Sequence, residues 1–159
     1  MGDGFEGIDV VAVTTWLADR LENLEPPLDF ELLAGGHSNL TYRVTDRAAN
    51  TYVLRRPPLG HVLQSAHDMG REHKIIFALQ GSAVPVATTV GLCVDESVND
   101  APFYVMNYVA GPVLHNHEAA AALSGEDRAA LGLHVIDVLA ALHQICLLYT
   151  SPSPRDRYI

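Results

Sequence analysis

Residues 29–56, DFELLAGGHSNLTYRVTDRAANTYVLRR, constrain the fold more than any other part of the chain. Apolar and polar residues alternate there in three runs, and clusters of Gly, Asn and Asp separate the runs. The apolar positions are Phe30, Leu32 and Ala34, then Leu40, Tyr42 and Val44, then Tyr52 and Leu54. Alternation with a period of two, broken by turn residues, is typical of strands with one buried face. The stretch therefore predicts three antiparallel strands joined by tight turns.

The first of these turns has the sequence GGHSN, which comprises Gly35, Gly36, His37, Ser38 and Asn39. Glycine lets a backbone approach another group closely, and successive N–H groups in such a turn can point at an anion. A loop over a phosphate chain would use both properties. Taken alone, the motif is more typical of an ordinary hairpin turn, and the residues that follow it decide between the two interpretations.

Composition limits the classes of function. The chain has 159 residues, of which 48% are apolar and 18% charged, as expected for a globular domain or part of a larger one. Its net charge of -9 disfavours nucleic acid as the main partner but not a nucleotide. We find no apolar run long enough to cross a membrane and no secretory signal. Cys93 and Cys146 form neither a disulfide framework nor a zinc pattern, so we predict a cytoplasmic protein without a membrane partner.

The rest of the chain predicts helices and two more strands. Asp9, Ser65 and Ser124 are suitable N-caps for three of the helices. The predicted elements are a helix over 10–24, a helix over 66–80, a strand over 88–94, a polar turn over 95–100, a buried strand over 102–109, a short helix over 118–123 and a long helix over 125–144. The last helix carries an apolar row that we expect another part of the protein to cover, formed by Leu131, Val135, Val138, Leu139 and Leu142.

Two charged features stand out among these elements. Glu72 falls on the apolar row of the second helix, one turn before Ile76, and a buried carboxylate requires a cation partner. His115, His117 and Glu118 have a spacing that a metal could use. Without a further ligand we interpret this second group as solvated, and we predict no metal site in the chain.

The order of these elements resembles the N-terminal lobe of the protein-kinase-like fold, and more closely the aminoglycoside phosphotransferase family. The phrases that carry the resemblance are LAGGHSNLTYRV, YVLRRPP, GREHKIIFAL and PFYVMNYVAGPVL. Some members of this family occur beside or fused to acyl-CoA dehydrogenases. The resemblance implies an α+β fold: a five-stranded antiparallel sheet with one packed helix, preceded by an N-terminal helix, plus the first helices of a truncated C-terminal lobe. The implied segments are 1–28, the N-terminal helix; 29–110, the N-lobe; and 111–145, the hinge exit and first C-lobe helices.

The resemblance also implies a role for each residue of an ATP site. The GGHSN loop, from Gly35 to Asn39, would lie over the ATP phosphates. Arg55 stands at the position of the strand-three lysine that contacts the α- and β-phosphates, and Glu72 would hold Arg55 in place. The hinge between the lobes would run from Met106 to Ala110. Within it, backbone groups near Asn107, Tyr108 and Val109 would bind adenine, and Val53, Tyr104 and Met106 would flank the base.

Residues 146–159 have a different character. The string CLLYTSPSPRD resembles the in-frame translation of a sequencing-library adapter, and we predict that the natural gene continues past Ile145. In the family, a catalytic Asp follows in a motif like HGDxxxxN, and an Asn and a later Asp hold Mg²⁺. That motif does not occur in residues 1–159. We therefore assign no catalytic residue within this chain and expect those residues downstream.

The resemblance thus implies an ATP- and Mg²⁺-dependent kinase that transfers the γ-phosphate of ATP to a hydroxyl group of a small molecule. The chain would hold the ATP-binding lobe alone and would be inactive by itself. An acyl-CoA dehydrogenase module is a partner by resemblance only. Two alternatives stay open at this point: a nucleotide-binding module without catalysis, or pseudokinase, and an unrelated α+β interaction domain in which GGHSN is only a turn.

Overall fold

The computed structural model describes residues 5–33, 39–60, 68–114 and 116–145. Two compact units can be distinguished: residues 1–77 with 87–108, and residues 78–86 with 109–159. The first unit carries the sheet. The elements in chain order are α1 (Val10–Ala18), β1 (Asp29–Leu32), β2 (Leu40–Thr45), β3 (Thr51–Arg56), α2 (Met69–Leu79), β4 (Thr89–Cys93), α3 (Glu96–Asn99), β5 (Phe103–Asn107), α4 (His117–Ala121) and α5 (Gly125–Gln144).

The sheet has five strands in the order β1-β2-β3-β5-β4, and all neighbouring strands are antiparallel. The three strands predicted in residues 29–56 are present, and Phe30, Tyr42, Val44 and Leu54 are buried as expected. Leu32 was expected to share their face but is 49% exposed. The predicted buried strand is β5, which lies between β3 and β4, inside the sheet. The predicted α+β fold, with a five-stranded antiparallel sheet, is therefore confirmed.

The hydrophobic core lies on one face of this sheet, where α1 covers it. Side chains of a strand alternate between the two faces, so every second residue of β1, β2, β3 and β5 points toward α1. Trp16 of α1 packs edge-on against Phe103 of β5, with ring centroids 5.0 Å apart. The core cluster comprises Ile8, Val13, Trp16, Leu17, Leu28, Phe30, Tyr42, Val44, Leu54, Cys93, Phe103 and Val105. The opposite face of the sheet is thereby left for other contacts.

The first helix is shorter than the sequence predicted. It begins after Asp9, whose carboxylate accepts the N–H of Ala12, as expected for the N-cap. It ends at Ala18 rather than Leu24, and the chain continues in turns. Leu21 and Leu24 still pack against the core from those turns. The apolar spacing therefore indicated correctly that Leu21 and Leu24 contact the core, but the prediction that the helix continues to them was wrong.

The other boundaries differ from prediction by smaller amounts. The described part of α2 begins at Met69, and Ser65, its predicted N-cap, lies outside the described residues. The predicted polar turn over 95–100 contains the short helix α3, because the Asp95 carboxylate accepts the N–H of Ser97 and caps it. Asp100 ends α3 in the left-handed conformation, with φ of 54°.

The second unit contains α4 and α5. The Ser124 hydroxyl accepts the N–H of Asp127 at 3.0 Å, so the predicted N-cap of α5 is present. The predicted apolar row of α5 is largely exposed, with Leu131 39%, Val135 58% and Leu139 49% accessible. Among the described residues, no helix is both long and apolar enough to cross a membrane.

Candidate functional site

The candidate site lies on the face of the sheet opposite α1. The register places Thr41 of β2 beside Arg55 of β3, and Arg55 beside Tyr104 of β5. Residues two apart on one strand share a face, so Val53 and Met106 belong to the same surface. Val53 is 6% exposed and supplies an apolar contact on this face of the sheet. The predicted neighbours Val53, Arg55, Tyr104 and Met106 are thus brought together.

Arg55 and Glu72 form the ion pair that the family resemblance implied. The Arg55 Nε lies 2.9 Å from Glu72 Oε2, and the two side chains are 33% and 30% exposed. A second nitrogen, Nη1, donates to the Thr41 hydroxyl at 3.3 Å. Two of the three guanidinium nitrogens therefore have fixed partners, which sets the orientation of the group.

Glu72 has two further partners. Asn39 Nδ2 donates to Glu72 Oε1 at 3.0 Å, and the Tyr104 hydroxyl donates to Glu72 Oε2 at 3.2 Å. Asn39 and Tyr104 are both buried, at 6% and 2% exposed. One carboxylate of α2 thus binds residues from the start of β2, from β3 and from β5. Asn39 is the one residue of the predicted GGHSN loop that the structure describes, since Gly35, Gly36, His37 and Ser38 lie outside the described residues.

The environment keeps the Tyr104 hydroxyl protonated. Burial raises the pKa of Tyr104 far above its ordinary value, and the negative charge of Glu72 raises it further against the opposing effect of Arg55. A neutral phenol has a proton to donate, as its contact with the Glu72 carboxylate requires. The sequence assigned Tyr104 only to the wall of the site, and Thr41 was not predicted at all. The sequence did carry a signal for Thr41: it is a polar residue that alternation places on the same face as Arg55.

Arg56 occupies the opposite face of β3 and is 4% exposed. Its guanidinium donates to three backbone carbonyl groups, those of Gly7, Pro57 and Asn99. Burial lowers the pKa of Arg56. These contacts tie the loop before α1 to β3 and α3, so Arg56 serves the structure of the first unit.

The predicted hinge segment begins at the end of β5. The N–H of Asn107 donates to the Thr88 carbonyl at 2.8 Å, and the N–H of Tyr108 donates to the Thr51 carbonyl at 3.2 Å. Both donors are therefore used within the first unit. The adenine contact stays a prediction, and the backbone groups available for it include those of Val109.

A separate cavity of about 690 Å³ lies near the first turn of α2. Its lining includes Arg56 and three carboxylates, those of Asp68, Glu96 and Asp100, but neither Arg55 nor Glu72. The mixture of charges favours no particular ligand. In the described ranges, no three His, Cys, Asp or Glu side chains are grouped to hold a metal, and His115 of the HxHE pattern lies outside those ranges.

Comparison with known proteins assigns the fold and the family. The chain is similar to acyl-CoA dehydrogenase family member 10 of Mus musculus, 36% identical over 127 residues, and to family member 11 of Homo sapiens, 34% identical over 121 residues. These matches cover 79% and 76% of this chain but only 12% and 15% of the relatives. A crystal structure from Ralstonia eutropha JMP134, of a protein assigned as an aminoglycoside phosphotransferase, superposes with a TM-score of 0.72 and 30% identity. That match covers 91% of this chain and 41% of the solved one.

The sheet, α2 and this likeness define a kinase-like phosphotransferase fold. The model of the phosphotransferase enzyme family matches residues 29–157, and the chain belongs to that family. The family resemblance predicted from the sequence is confirmed.

Proposed function

We propose that the chain contributes the ATP-binding lobe of a kinase that phosphorylates a hydroxyl group of a small molecule. The observation that carries the proposal is the arrangement around Arg55. Glu72 and Thr41 engage Nε and Nη1, whereas Nη2 has no hydrogen bond to any described residue. A cation held in this way presents its remaining N–H groups in a fixed direction, and a phosphate is the anion that suits them.

The rest of the surface is compatible with a nucleotide. Val53 and Met106 supply apolar contact beside Arg55, as a base and ribose would need. The GGHSN loop, of which Asn39 is the last residue, would add backbone N–H groups for the phosphates. Mg²⁺ is proposed from the family alone, because the described residues do not group carboxylates for it. Its ligands, and the catalytic Asp, are proposed to lie outside residues 1–159.

A second candidate function is a nucleotide-binding module without catalysis. It is favoured by Arg55 at a position where kinases use lysine, because a guanidinium and an ammonium present different donor geometries. Both candidates share ATP binding and differ only in phosphoryl transfer. Under either proposal the chain alone binds ATP and transfers no phosphate. Association with an acyl-CoA dehydrogenase module stays a prediction.

The test is to measure the affinity of the 159-residue chain for ATP and for adenosine by isothermal titration calorimetry. We expect Arg55→Met to weaken ATP binding about tenfold, as for one lost hydrogen bond to a charged group, with adenosine binding unchanged. Arg55→Lys should retain part of the affinity. Arg47→Met is the matched control, because Arg47 is an exposed residue of the turn between β2 and β3.

Absence of ATP binding by the folded wild-type chain would refute the proposal, as would Arg55→Met binding ATP like the wild type. Circular dichroism checks that each variant is folded. Phosphoryl transfer by a longer form of the protein, measured with ATP, Mg²⁺ and a panel of hydroxylated molecules, separates the kinase from the non-catalytic module.

A further inference from the structure

The Glu72 carboxylate has more partners than an ion pair with Arg55 needs. Arg55 contacts only one of its oxygens, Oε2, through a single nitrogen. A contact of this kind leaves the carboxylate free to rotate about its own bond, and the guanidinium can follow it. The second oxygen, Oε1, binds Asn39, and Oε2 also binds Tyr104. Partners on both oxygens remove that rotation.

The direction of each hydrogen bond is determined by the chemistry of the groups. An ionised carboxylate only accepts hydrogen bonds, so Asn39 must face it with its NH₂ group and Tyr104 with its O–H. Both donors are buried in the first unit, at 6% and 2% exposed. Water therefore has little access to replace either of them, and removing one leaves the carboxylate less constrained.

The two donors to Glu72, Asn39 and Tyr104, come from different parts of the chain. Asn39 ends the GGHSN loop and immediately precedes β2, whereas Tyr104 lies on β5. The carboxylate that orients Arg55 is therefore held by two segments that are far apart in the chain. A shift of Glu72 would move Arg55 with it.

We infer that Asn39 and Tyr104 are positioning residues that lock the Glu72 carboxylate and thereby hold Arg55 in the orientation that binds the phosphates of a nucleotide. The inference rests on the proposed function. It assigns the two residues to phosphate recognition and leaves adenosine recognition to other groups. It therefore predicts a selective loss of affinity rather than a general one.

The test compares ATP with adenosine in binding measurements on the full chain. We expect Asn39→Ala and Tyr104→Phe each to weaken ATP binding three- to tenfold and to change adenosine binding less than twofold. Tyr52→Phe is the matched control: Tyr52 packs toward the core, on the opposite face of the sheet from Tyr104, and should leave both affinities unchanged. A role in folding alone would lower the bound fraction for ATP and adenosine equally.

A double-mutant cycle tests whether the two residues act through Arg55. In an Arg55→Met background, Asn39→Ala and Tyr104→Phe should have little further effect on ATP affinity. Wild-type binding of ATP combined with unchanged affinity in both single variants would overturn the inference and leave the proposed function standing. Equal losses for ATP and adenosine, or full additivity with Arg55→Met, would also overturn it. Failure of the wild-type chain to bind ATP would overturn both.

Discussion

Arg55 and Arg56 are neighbours on β3, yet the structure uses them in opposite ways. Arg55 points away from α1, pairs with Glu72 and keeps its side chain 33% exposed. Arg56 points to the other face, is 4% exposed and donates only to backbone carbonyl groups in the described structure. The same residue type thus has two roles: Arg55 presents a cation to a ligand on one face, and Arg56 joins loops on the other.

The difference shows that one face of the sheet forms the hydrophobic core and the other carries the candidate site. The α1 face is packed with apolar side chains, and a cation there is accepted because three carbonyl groups surround it. The opposite face collects polar groups around one carboxylate. Substitutions on the α1 face should therefore change stability, whereas those around Glu72 should change ligand binding. The following predictions test this division.

The largest effect is expected from Phe103→Ala, because Phe103 is completely buried and packs against Trp16. Truncation leaves a cavity in the core, and we expect the free energy of unfolding to fall by about 3–5 kcal/mol. Urea denaturation measures the loss. Phe77→Ala is the matched control, since Phe77 is 61% exposed and should lose less than about 1 kcal/mol. Similar losses in the two variants would contradict the assignment of the core to the α1 face.

Arg56→Met should have the next largest effect on stability. It removes the donors to the Gly7, Pro57 and Asn99 carbonyl groups, and we expect a loss of roughly 2–3 kcal/mol. The folded variant should bind ATP as the wild type does. Arg55→Met should show the reverse pattern, with a stability change below about 1 kcal/mol, because its ion pair is partly exposed. Urea denaturation measures the stability of both variants, and calorimetry measures their affinity for ATP. Loss of ATP affinity in folded Arg56→Met would contradict the assignment of Arg56 to the structure alone.

The smallest effect concerns pH and His73. Its ring lies near Tyr104 and stacks on Phe77, with centroids 6.1 Å and 6.0 Å apart, and burial lowers the pKa of His73. The unfolded chain therefore takes up a proton near pH 6.5 that the folded state binds only at lower pH. Stability should fall as the pH is lowered through about 6.5. His73→Gln should flatten this part of the profile in urea denaturation measured from pH 7.5 to 5.5, and an identical slope in the two proteins would contradict the prediction.

Much of the fold and part of the site follow from local patterns. Alternation in residues 29–56 predicted the burial of Phe30, Tyr42 and Leu54 but not the exposure of Leu32, and Asp9 and Ser124 marked two helix starts. The position of Glu72 on an apolar helix row predicted its need for a cation, and Arg55 supplies it. The end of α1 was misjudged, because Leu21 and Leu24 reach the core from turns whose spacing mimics a helix.

The sequence by itself determined the strands, their order along the chain and the need of Glu72 for a cation, since alternation, turn residues and charge are properties of short segments. The resemblance to the family implied that Arg55 is that cation. Only the tertiary structure decided that Asn39, Arg55 and Tyr104 meet at one carboxylate, and that the shared face also carries Thr41. Those contacts join residues far apart in the chain, and their geometry depends on strand register and helix placement together. The pattern of one strand gives the face on which each side chain lies, but register also depends on the turn and on the partner strand, so one segment alone does not say which residues lie opposite each other.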